Sequence, residues 1–240
     1  MKAFLLAAGL GTRLRPITDI VPKCLVPVNG RPLLAYWLDN LGSHGVDEVL
    51  INLHHLPDGV LRFVEEYRGP VKIVTVMEPS LLGSAGTLHA NRGFVAGEEQ
   101  FLILYADNLT DIDPVLLARF NAEHPAPLTV ALMRMENPSS RGIALLDESG
   151  TIVDFTEKPE HPKSDLASAG MFAARRELFD DITPDRAPYD LGGDVMPKLV
   201  GRMNGVEVAG YLRDVGTLES LALAEREWPE RGGITHGNIS

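Results

Sequence analysis

The sequence has little cysteine and no long apolar run. Its single cysteine, Cys24, excludes an intrachain disulfide and is typical of a reducing cytoplasm. No apolar stretch is long enough to span a bilayer, and Met1-Lys2 leads straight into strand-like sequence, so we expect a cytoplasmic protein without a signal peptide. Cys24 lies between Lys23 and the apolar Leu25-Val26, a setting that favours packing over nucleophilic chemistry.

Positive charge is also scarce. The formal net charge is −11, which argues against binding to nucleic acid or to an anionic membrane surface. A protein this acidic must concentrate its cations locally, or recruit a metal ion, to bind an anionic ligand. The candidate cations are Arg13, Arg15, Lys23 and Lys158.

Internal repeats, low-complexity tracts and a clear interdomain linker are absent too. A chain of 240 residues with 45% hydrophobic content fits one large α/β domain or two small ones. We favour one domain, placed at 1–228, followed by a loose tail at 229–240. No heptad pattern or long apolar helix face indicates an interface, so the sequence leaves open whether the protein forms a homo-oligomer.

The most informative stretch present is Phe4–Pro27. An apolar run, Ala3–Ala8, predicts a buried strand that breaks at Gly9-Leu10-Gly11-Thr12. Two glycines let the backbone approach a ligand closely, and Arg13 and Lys23 follow. Backbone N–H groups, a hydroxyl and two cations suit a phosphate chain, although a glycine turn with surface cations has the same ingredients.

Two known phosphate loops do not fit this stretch. No G-x-x-x-x-G-K-[ST] is present, which excludes a P-loop. Leu14 occupies the third glycine's place of G-x-G-x-x-G, which weakens a dinucleotide-binding interpretation.

Periodicity and turn residues predict further helices and strands. Helices are expected at 33–41, 60–67, 88–94, 114–120, 190–201 and from about 218 to 227. Strands are expected at 48–53, 71–77, 101–105, 128–133, 142–146, 152–156, 168–173 and 206–211. The short strands after Met133 predict an antiparallel or mixed extension.

A second glycine-rich segment, Gly83–Thr87, precedes one of these helices. Its glycines would let a flat nucleobase lie against backbone, and Glu78 could accept from a guanine N1–H and N2 amine. A purely structural helix start remains an equal alternative for the glycines taken alone.

Two aspartates follow predicted strands. Asp107 comes after the buried strand at 101–105, where open α/β sheets bind ligands, and Asp214 follows the strand at 206–211. Magnesium is usually held by one or two carboxylates together with phosphates, so both are candidate Mg²⁺ ligands. An Asp-Asn turn that caps the next helix is the alternative for Asp107.

The ordered set of motifs resembles the sugar-1-phosphate nucleotidylyltransferase family. Leu6–Pro16 with Pro22-Lys23 is similar to the family signature, and Glu78–Gly86 is similar to its guanine-specific members. Glu157-Lys158-Pro159 and Asp214-Val215-Gly216-Thr217 follow in family order. The similarity is nearest to short D-glycero-D-manno-heptose 1-phosphate guanylyltransferases and mannose-1-phosphate guanylyltransferases, in segments that include Ala106–Asp111 and Tyr189–Val195.

The resemblance implies a fold and a reaction. The fold would be α/β, a Rossmann-like doubly wound mixed sheet of nucleotidyltransferase, GT-A-like type, with a small antiparallel sugar-binding extension. Residues 1–133 would form the nucleotide-binding half and 134–228 the sugar-binding half. The reaction would transfer a nucleoside monophosphate, GMP by preference, from a nucleoside triphosphate to heptose or mannose 1-phosphate, with Mg²⁺ as cofactor.

The resemblance also implies residue roles. Arg13, Lys23, Asp107 and Asp214 would be catalytic, and the two aspartates would bind the metal. The nucleotide would be bound by Leu6, Ala8, Gly9, Gly11, Thr12, Glu78, Gly83 and Gly86. The sugar phosphate would be bound by Gly142, Glu157, Lys158, Ser168 and Gly170.

Three departures from the family pattern fall in the sugar half: Arg141, Ser168 and Leu212. The resemblance therefore specifies the identity of the sugar less well than that of the nucleotide. Alternatives are the same reaction with UTP, dTTP or CTP on another hexose 1-phosphate, a non-catalytic nucleotide-sugar-sensing subunit, and a glycosyltransferase. The last would use an Asp-x-Asp metal motif, which Asp111-Ile112-Asp113 spells.

Overall fold

The computed structural model describes residues 1–136 and 138–228. The predicted C-terminal tail at 229–240 lies outside the described residues. Among those described, no helix is both long enough and apolar enough to cross a membrane.

The described residues form thirteen strands and six α-helices. The strands are β1 (Lys2–Leu6), β2 (Pro27–Val28), β3 (Arg31–Pro32), β4 (Glu48–Leu53), β5 (Lys72–Met77), β6 (Gln100–Tyr105), β7 (Asn108–Thr110), β8 (Leu128–Arg134), β9 (Gly142–Leu146), β10 (Ile152–Glu157), β11 (Leu166–Arg175), β12 (Asn204–Glu207) and β13 (Leu212–Asp214). The α-helices are α1 (Leu33–Ser43), α2 (Pro57–Glu66), α3 (Ser84–Ala90), α4 (Val115–Glu123), α5 (Leu178–Asp181) and α6 (Leu218–Glu227).

The chain divides into two units that are not contiguous in sequence. Unit 1 comprises Met1–Ser80, Leu104–Asp113 and the described residues from Gly210 onwards. Unit 2 comprises Leu81–Ile103 and Pro114–Ala209. The predicted single domain with halves at 1–133 and 134–228 stays a prediction.

Unit 1 contains a parallel sheet. Strand β1 pairs in parallel with β4, and β4 pairs in parallel with β5, with Ala3 opposite Val49 and Val49 opposite Ile73. The side chains of Ala3, Phe4 and Leu5 are fully buried, as the continuous apolar run predicted. Parallel strands end at one edge of a sheet, so the residues that follow β1, β4 and β5 share that edge.

A short antiparallel pair, β7 with β13, also belongs to unit 1. The expected strand at 206–211 is wrong in its bounds, because β12 ends at Glu207 and β13 begins at Leu212. Gly210 lies between them at φ +147, and a Cβ there would be 2.6 Å from Ile112 Cγ1. The close approach of the backbone to Ile112 ends the extended run.

Unit 2 contains the predicted antiparallel extension. Strand β11 pairs antiparallel with β8, and β10 pairs antiparallel with β9, while β12 joins β8 in parallel. The fold class is therefore the mixed α/β type that we predicted, with a mostly parallel central sheet and small antiparallel sheets.

The continuous helix expected at 190–201 is replaced by two short pieces. A π-helical turn covers Leu191–Val195, and a 3₁₀ turn covers Met196–Leu199. Gly192 and Gly193 are weak helix formers, and Pro197 has no N–H to continue the ladder. These residues explain the break.

Candidate active site

The loop after β1 is held in one conformation by Thr18. Gly11 has φ +63, and a Cβ there would be 2.8 Å from Thr18 Cγ2, so the position requires glycine. The buried Thr18 hydroxyl donates to the Gly11 carbonyl at 2.7 Å, and His55 Nε2 donates to the Thr18 carbonyl at 2.8 Å. The predicted phosphate loop is thus a fixed turn.

Buried apolar side chains anchor the same loop from below. Leu14 is fully buried and packs in a cluster with Val26, Leu109 and Val215, which come from separate parts of unit 1. Arg13, next to Leu14, is therefore carried on a backbone that this packing holds in place.

Lys23 lies beside both predicted metal ligands. Its Nζ donates to Asp107 Oδ2 at 2.6 Å and is 3.7 Å from Asp214 Oδ1. The lysine side chain is 11% exposed, whereas the two carboxylates are 37% and 42% exposed. Two acids and one cation thus form a cluster that faces solvent through its carboxylates.

The β7–β13 pair brings the two acids together. Asp214 lies opposite Asn108 in that pair, and the Val215 N–H donates to the Asp107 carbonyl at 2.9 Å. Arg13 reaches the same place, because a Cβ on Gly216 would be 3.1 Å from Arg13 Nη2 and 2.7 Å from Asp214 Oδ1. All four predicted catalytic side chains therefore lie in one part of unit 1.

The donor set suits a magnesium ion. Asp214 Oδ1 is buried and has no hydrogen-bond partner among the described residues. No group of three or more His, Cys, Asp or Glu side chains able to hold a metal occurs in the described part of the chain. Two carboxylates without further protein ligands are what Mg²⁺ takes when phosphates complete its coordination.

The thiol of Cys24 is no part of this cluster's chemistry. It is 2% exposed, and burial raises its pKa to about 12. A thiol in this environment is protonated at neutral pH and is a poor nucleophile. The structure supports the packing role that we predicted.

The neighbours of Glu78 include Asn52, which the sequence did not single out, and His54. Glu78 is 3% exposed, and its Oε1 accepts from Asn52 Nδ2 at 2.9 Å. Its carbonyl accepts from His54 Nδ1 at 2.8 Å. The sequence feature that could have indicated Asn52 is a polar residue near the end of an otherwise apolar strand.

In unit 2, the glycine-rich segment before α3 packs on the backbone of Tyr189. Gly83 has φ +80, and a Cβ there would be 2.5 Å from the Tyr189 nitrogen. The Tyr189 N–H donates to the Leu82 carbonyl at 2.8 Å, and the Gly86 N–H donates to the Tyr189 carbonyl at 3.0 Å.

Ser84 and the Asp190-Leu191 segment exchange hydrogen bonds beside this contact. The Ser84 N–H donates to Asp190 Oδ1 at 3.0 Å, and the Leu191 N–H donates to Ser84 Oγ at 2.7 Å. Each side chain satisfies a backbone group of the other segment. The sequence Tyr-Asp-Leu-Gly-Gly singled out this segment, but it gave no sign that the segment pairs with Ser84.

The predicted sugar residues lie together in unit 2. Glu157 fits between two glycines, because a Cβ on Gly142 or Gly192 would be 2.8 or 2.6 Å from Glu157 Oε2. Lys158 Nζ is 3.6 Å from Glu157 Oε1 and its side chain is 65% exposed, so it is accessible to an anion.

Two of the departures from the family pattern contact each other. Arg141 Nη1 donates to the Ser168 carbonyl at 3.2 Å, and the Gly170 N–H donates to Ser168 Oγ at 3.3 Å. The register of β11 against β8 shifts between Ser168 and Phe172, where Gly170 has φ +70. Arg141 and Ser168 therefore belong to one structural feature.

The Asp-x-Asp string is buried. Asp111 and Asp113 are 2% and 5% exposed, and Asp111 Oδ1 accepts from the Tyr211 N–H at 2.6 Å. These positions disfavour a glycosyltransferase metal site at Asp111–Asp113.

Comparison with known proteins places the chain in a family. Residues 2–231 match the family described as Nucleotidyl transferase. The chain belongs to this family. UTP–glucose-1-phosphate uridylyltransferase of Synechocystis sp. is 34% identical over 215 residues, which cover 83% of this chain and 55% of that protein.

A guanylyl member is also similar. Mannose-1-phosphate guanylyltransferase 1 of Arabidopsis thaliana is 27% identical, over 90% of this chain and 61% of its own length. HddC of Yersinia pseudotuberculosis, solved with GMP-PN, has the same fold with a TM-score of 0.79 at 19% identity, over 95% of this chain and 99% of that one. The chain spans little more than half the length of these two curated relatives.

Proposed function

We propose that this nucleotidyl transferase forms a nucleotide sugar. It transfers GMP from GTP to heptose or mannose 1-phosphate and releases pyrophosphate. The observation that carries the proposal is the cluster of Lys23, Asp107 and Asp214, with Nζ 2.6 and 3.7 Å from the two carboxylates, in the same unit as the fixed Gly11 turn. A triphosphate needs this combination of cation, metal-type carboxylates and close backbone.

The bond changes balance without a covalent enzyme intermediate. An oxygen of the sugar 1-phosphate bonds to the α-phosphorus, and the bond from that phosphorus to the bridging oxygen breaks, so that pyrophosphate leaves with the electron pair. A phosphate monoester is mostly dianionic at neutral pH, so the nucleophile requires no general base. Catalysis then depends on the positioning of the two substrates and on neutralisation of the negative charge at the phosphates.

Each predicted residue has a role in that scheme. Arg13 binds the β- and γ-phosphates, and Lys23 binds the reacting phosphates. Asp107 and Asp214 would hold Mg²⁺, and the bound ion would supply Lewis-acid chemistry. The nucleotide bed comprises Leu6, Ala8, Gly9, Gly11, Thr12, Glu78, Gly83 and Gly86, and the sugar phosphate is bound by Gly142, Glu157, Lys158, Ser168 and Gly170.

The choice of guanine follows from Glu78. A carboxylate accepts two hydrogen bonds from guanine N1–H and the N2 amine, whereas uracil and thymine present one N–H flanked by carbonyl oxygens, which a carboxylate opposes. The similarity to a mannose-1-phosphate guanylyltransferase supports the same choice.

A grid of five nucleoside triphosphates against several sugar 1-phosphates, read by pyrophosphate release with Mg²⁺, tests the proposal. We expect release with GTP and heptose or mannose 1-phosphate. Higher turnover with UTP or dTTP would support the proposed nucleotidyl transfer but contradict the preference for guanine. No release with any pair would leave the nucleotide-sugar-sensing subunit as the function.

Lys158→Ala tests the sugar-phosphate site. The exposed ammonium contributes one charged contact to the sugar phosphate, so we expect KM for the sugar phosphate to rise about tenfold or more while KM for GTP stays unchanged. Lys163→Ala is the matched control, because Lys163 pairs with Asp154 at 2.6 Å and its side chain is 68% exposed. An unchanged KM and kcat for the sugar phosphate would remove Lys158 from the site.

A further inference from the structure

The peptide unit between Asp214 and Val215 is held at both of its polar ends. The Val215 N–H donates to the Asp107 carbonyl at 2.9 Å, and the Asp214 carbonyl accepts from the Ser220 hydroxyl. A peptide unit is planar, so its N–H and C=O groups turn together. The two bonds therefore fix the plane of this unit, and they join the segments of both candidate metal ligands to the first turn of α6.

Ser220 is held in turn by the residue that begins α6. Thr217 precedes the helix, and its Oγ1 accepts from the Ser220 N–H at 3.1 Å. The Thr217 carbonyl accepts from the Leu221 N–H at 2.9 Å. A carbonyl oxygen can only accept, so the Ser220 hydroxyl must donate its one proton to the Asp214 carbonyl. The Ser220 hydroxyl is thus carried on a helix start that has its own hydrogen bonds.

The position of Asp214 Oδ1 is not set by a hydrogen bond. This oxygen is buried, has no hydrogen-bond partner among the described residues and lies 3.7 Å from Lys23 Nζ. Asp214 is also the last residue of β13, so the pairing of β13 with β7 ends there. The main chain that follows Asp214 therefore has a large part in placing its carboxylate, and that main chain is the peptide unit that Ser220 holds.

We propose that Ser220 is a positioning residue for the two metal-binding carboxylates. It holds the Asp214–Val215 peptide from one side while the Asp107 carbonyl holds it from the other, and this keeps the two acids in one relative position. The inference rests on the proposed function, because it assumes that Asp107 and Asp214 bind Mg²⁺. It adds that metal binding depends on a residue of α6 that contacts neither the ion nor the nucleotide.

The readout is the factor by which Mg²⁺ tightens the binding of a nucleoside triphosphate. It is the Kd in EDTA divided by the Kd in Mg²⁺, both measured by calorimetry without sugar phosphate, so that no turnover occurs. The ligand is the triphosphate with the highest turnover in the substrate grid, which is GTP by our proposal. We expect a factor of about tenfold or more in the wild type, because the ion is shared between the carboxylates and the phosphates.

Ser220→Ala removes the hydroxyl and keeps a good helix former at this position. The Asp214–Val215 peptide is then held by the Val215 N–H alone. Loss of a residue that orients a metal ligand lowers metal affinity about 10- to 100-fold, so we expect the factor to fall below about threefold. The Kd in EDTA stays within about twofold of the wild type, because Arg13 and Lys23 are unchanged. Ser220→Cys, with a weak donor, gives the same result if Ser220→Ala does not fold.

Ser43→Ala is the matched control. Ser43 Oγ donates to the Asn40 carbonyl at 2.8 Å in the same unit, so this variant also loses a bond from a serine hydroxyl to a main-chain carbonyl. Neither residue is assigned to the site, and the factor stays at the wild-type value. A purely structural Ser220 would behave in the same way, with a lower melting temperature and an unchanged factor.

The outcomes separate the inference from the proposed function. A wild type that binds the triphosphate equally well in Mg²⁺ and in EDTA overturns the metal site at Asp107 and Asp214, and the inference falls with it. A wild type that shows the factor, with Ser220→Ala or Ser220→Cys keeping it in full, overturns the positioning role alone. A Kd that rises equally in Mg²⁺ and in EDTA leaves the factor unchanged and overturns that role as well.

Discussion

Asp107→Asn lowers kcat about a hundredfold or more, while the protein stays folded. The substitution removes one of the two carboxylates that would bind the Mg²⁺ ion, which would neutralise negative charge at the reacting phosphates. Loss of one such charged contact costs about 3 kcal/mol of transition-state stabilisation. Folding changes little, because the side chain is 37% exposed and a partly exposed ion pair contributes about 1 kcal/mol or less. Steady-state kinetics in Mg²⁺ and a thermal melt measure the two effects.

Asp39→Asn is the control for charge removal. Asp39 forms an ion pair with Arg31 in the same unit, and its side chain is 50% exposed. We expect kcat to stay within about twofold of the wild type, because neither residue is assigned to the site and both side chains are exposed. If Asp107→Asn turned over at the wild-type rate in Mg²⁺, Asp107 would not be a metal ligand.

Gly83→Ala is expected to be the most damaging single methyl addition in unit 2. The residue has φ +80 and ψ 163, a region that is essentially restricted to glycine. The added Cβ would also be 2.5 Å from the Tyr189 nitrogen and 2.6 Å from its oxygen, and backbone cannot move aside as a side chain can. We expect about 3 kcal/mol of destabilisation, or a melting temperature lower by roughly 6 to 12 °C.

Gly93→Ala gives the comparison for Gly83→Ala. A Cβ at Gly93 would have no atom within 4 Å, and the residue lies in a 3₁₀ turn of the same unit. Its melting temperature should equal or slightly exceed that of the wild type. Gly83→Ala should in addition raise KM for GTP, because Gly83 lies in the segment assigned to the base. Equal melting temperatures for the two variants would contradict this account of the Gly83–Tyr189 contact.

Patterns local in the chain predicted most elements correctly. The apolar run at 3–8, the strand before Asp107 and the short strands after Met133 all appear, since burial on a strand depends on neighbours in sequence. The errors came at glycine and proline positions. Gly210 ends a strand against Ile112, and Gly192-Gly193 with Pro197 divide a helix into two pieces.

The sequence by itself determined the fold class, and it predicted a phosphate loop and the residue types of a nucleotide site. Tertiary structure decided which of those residues meet. Pairing of β7 with β13 brings Asp214 to the lysine that also binds Asp107, and Asn52 connects Ala7 to Glu78 across three segments. Such contacts depend on strand register and on the rotamers of distant side chains, and no pattern along the chain encodes them.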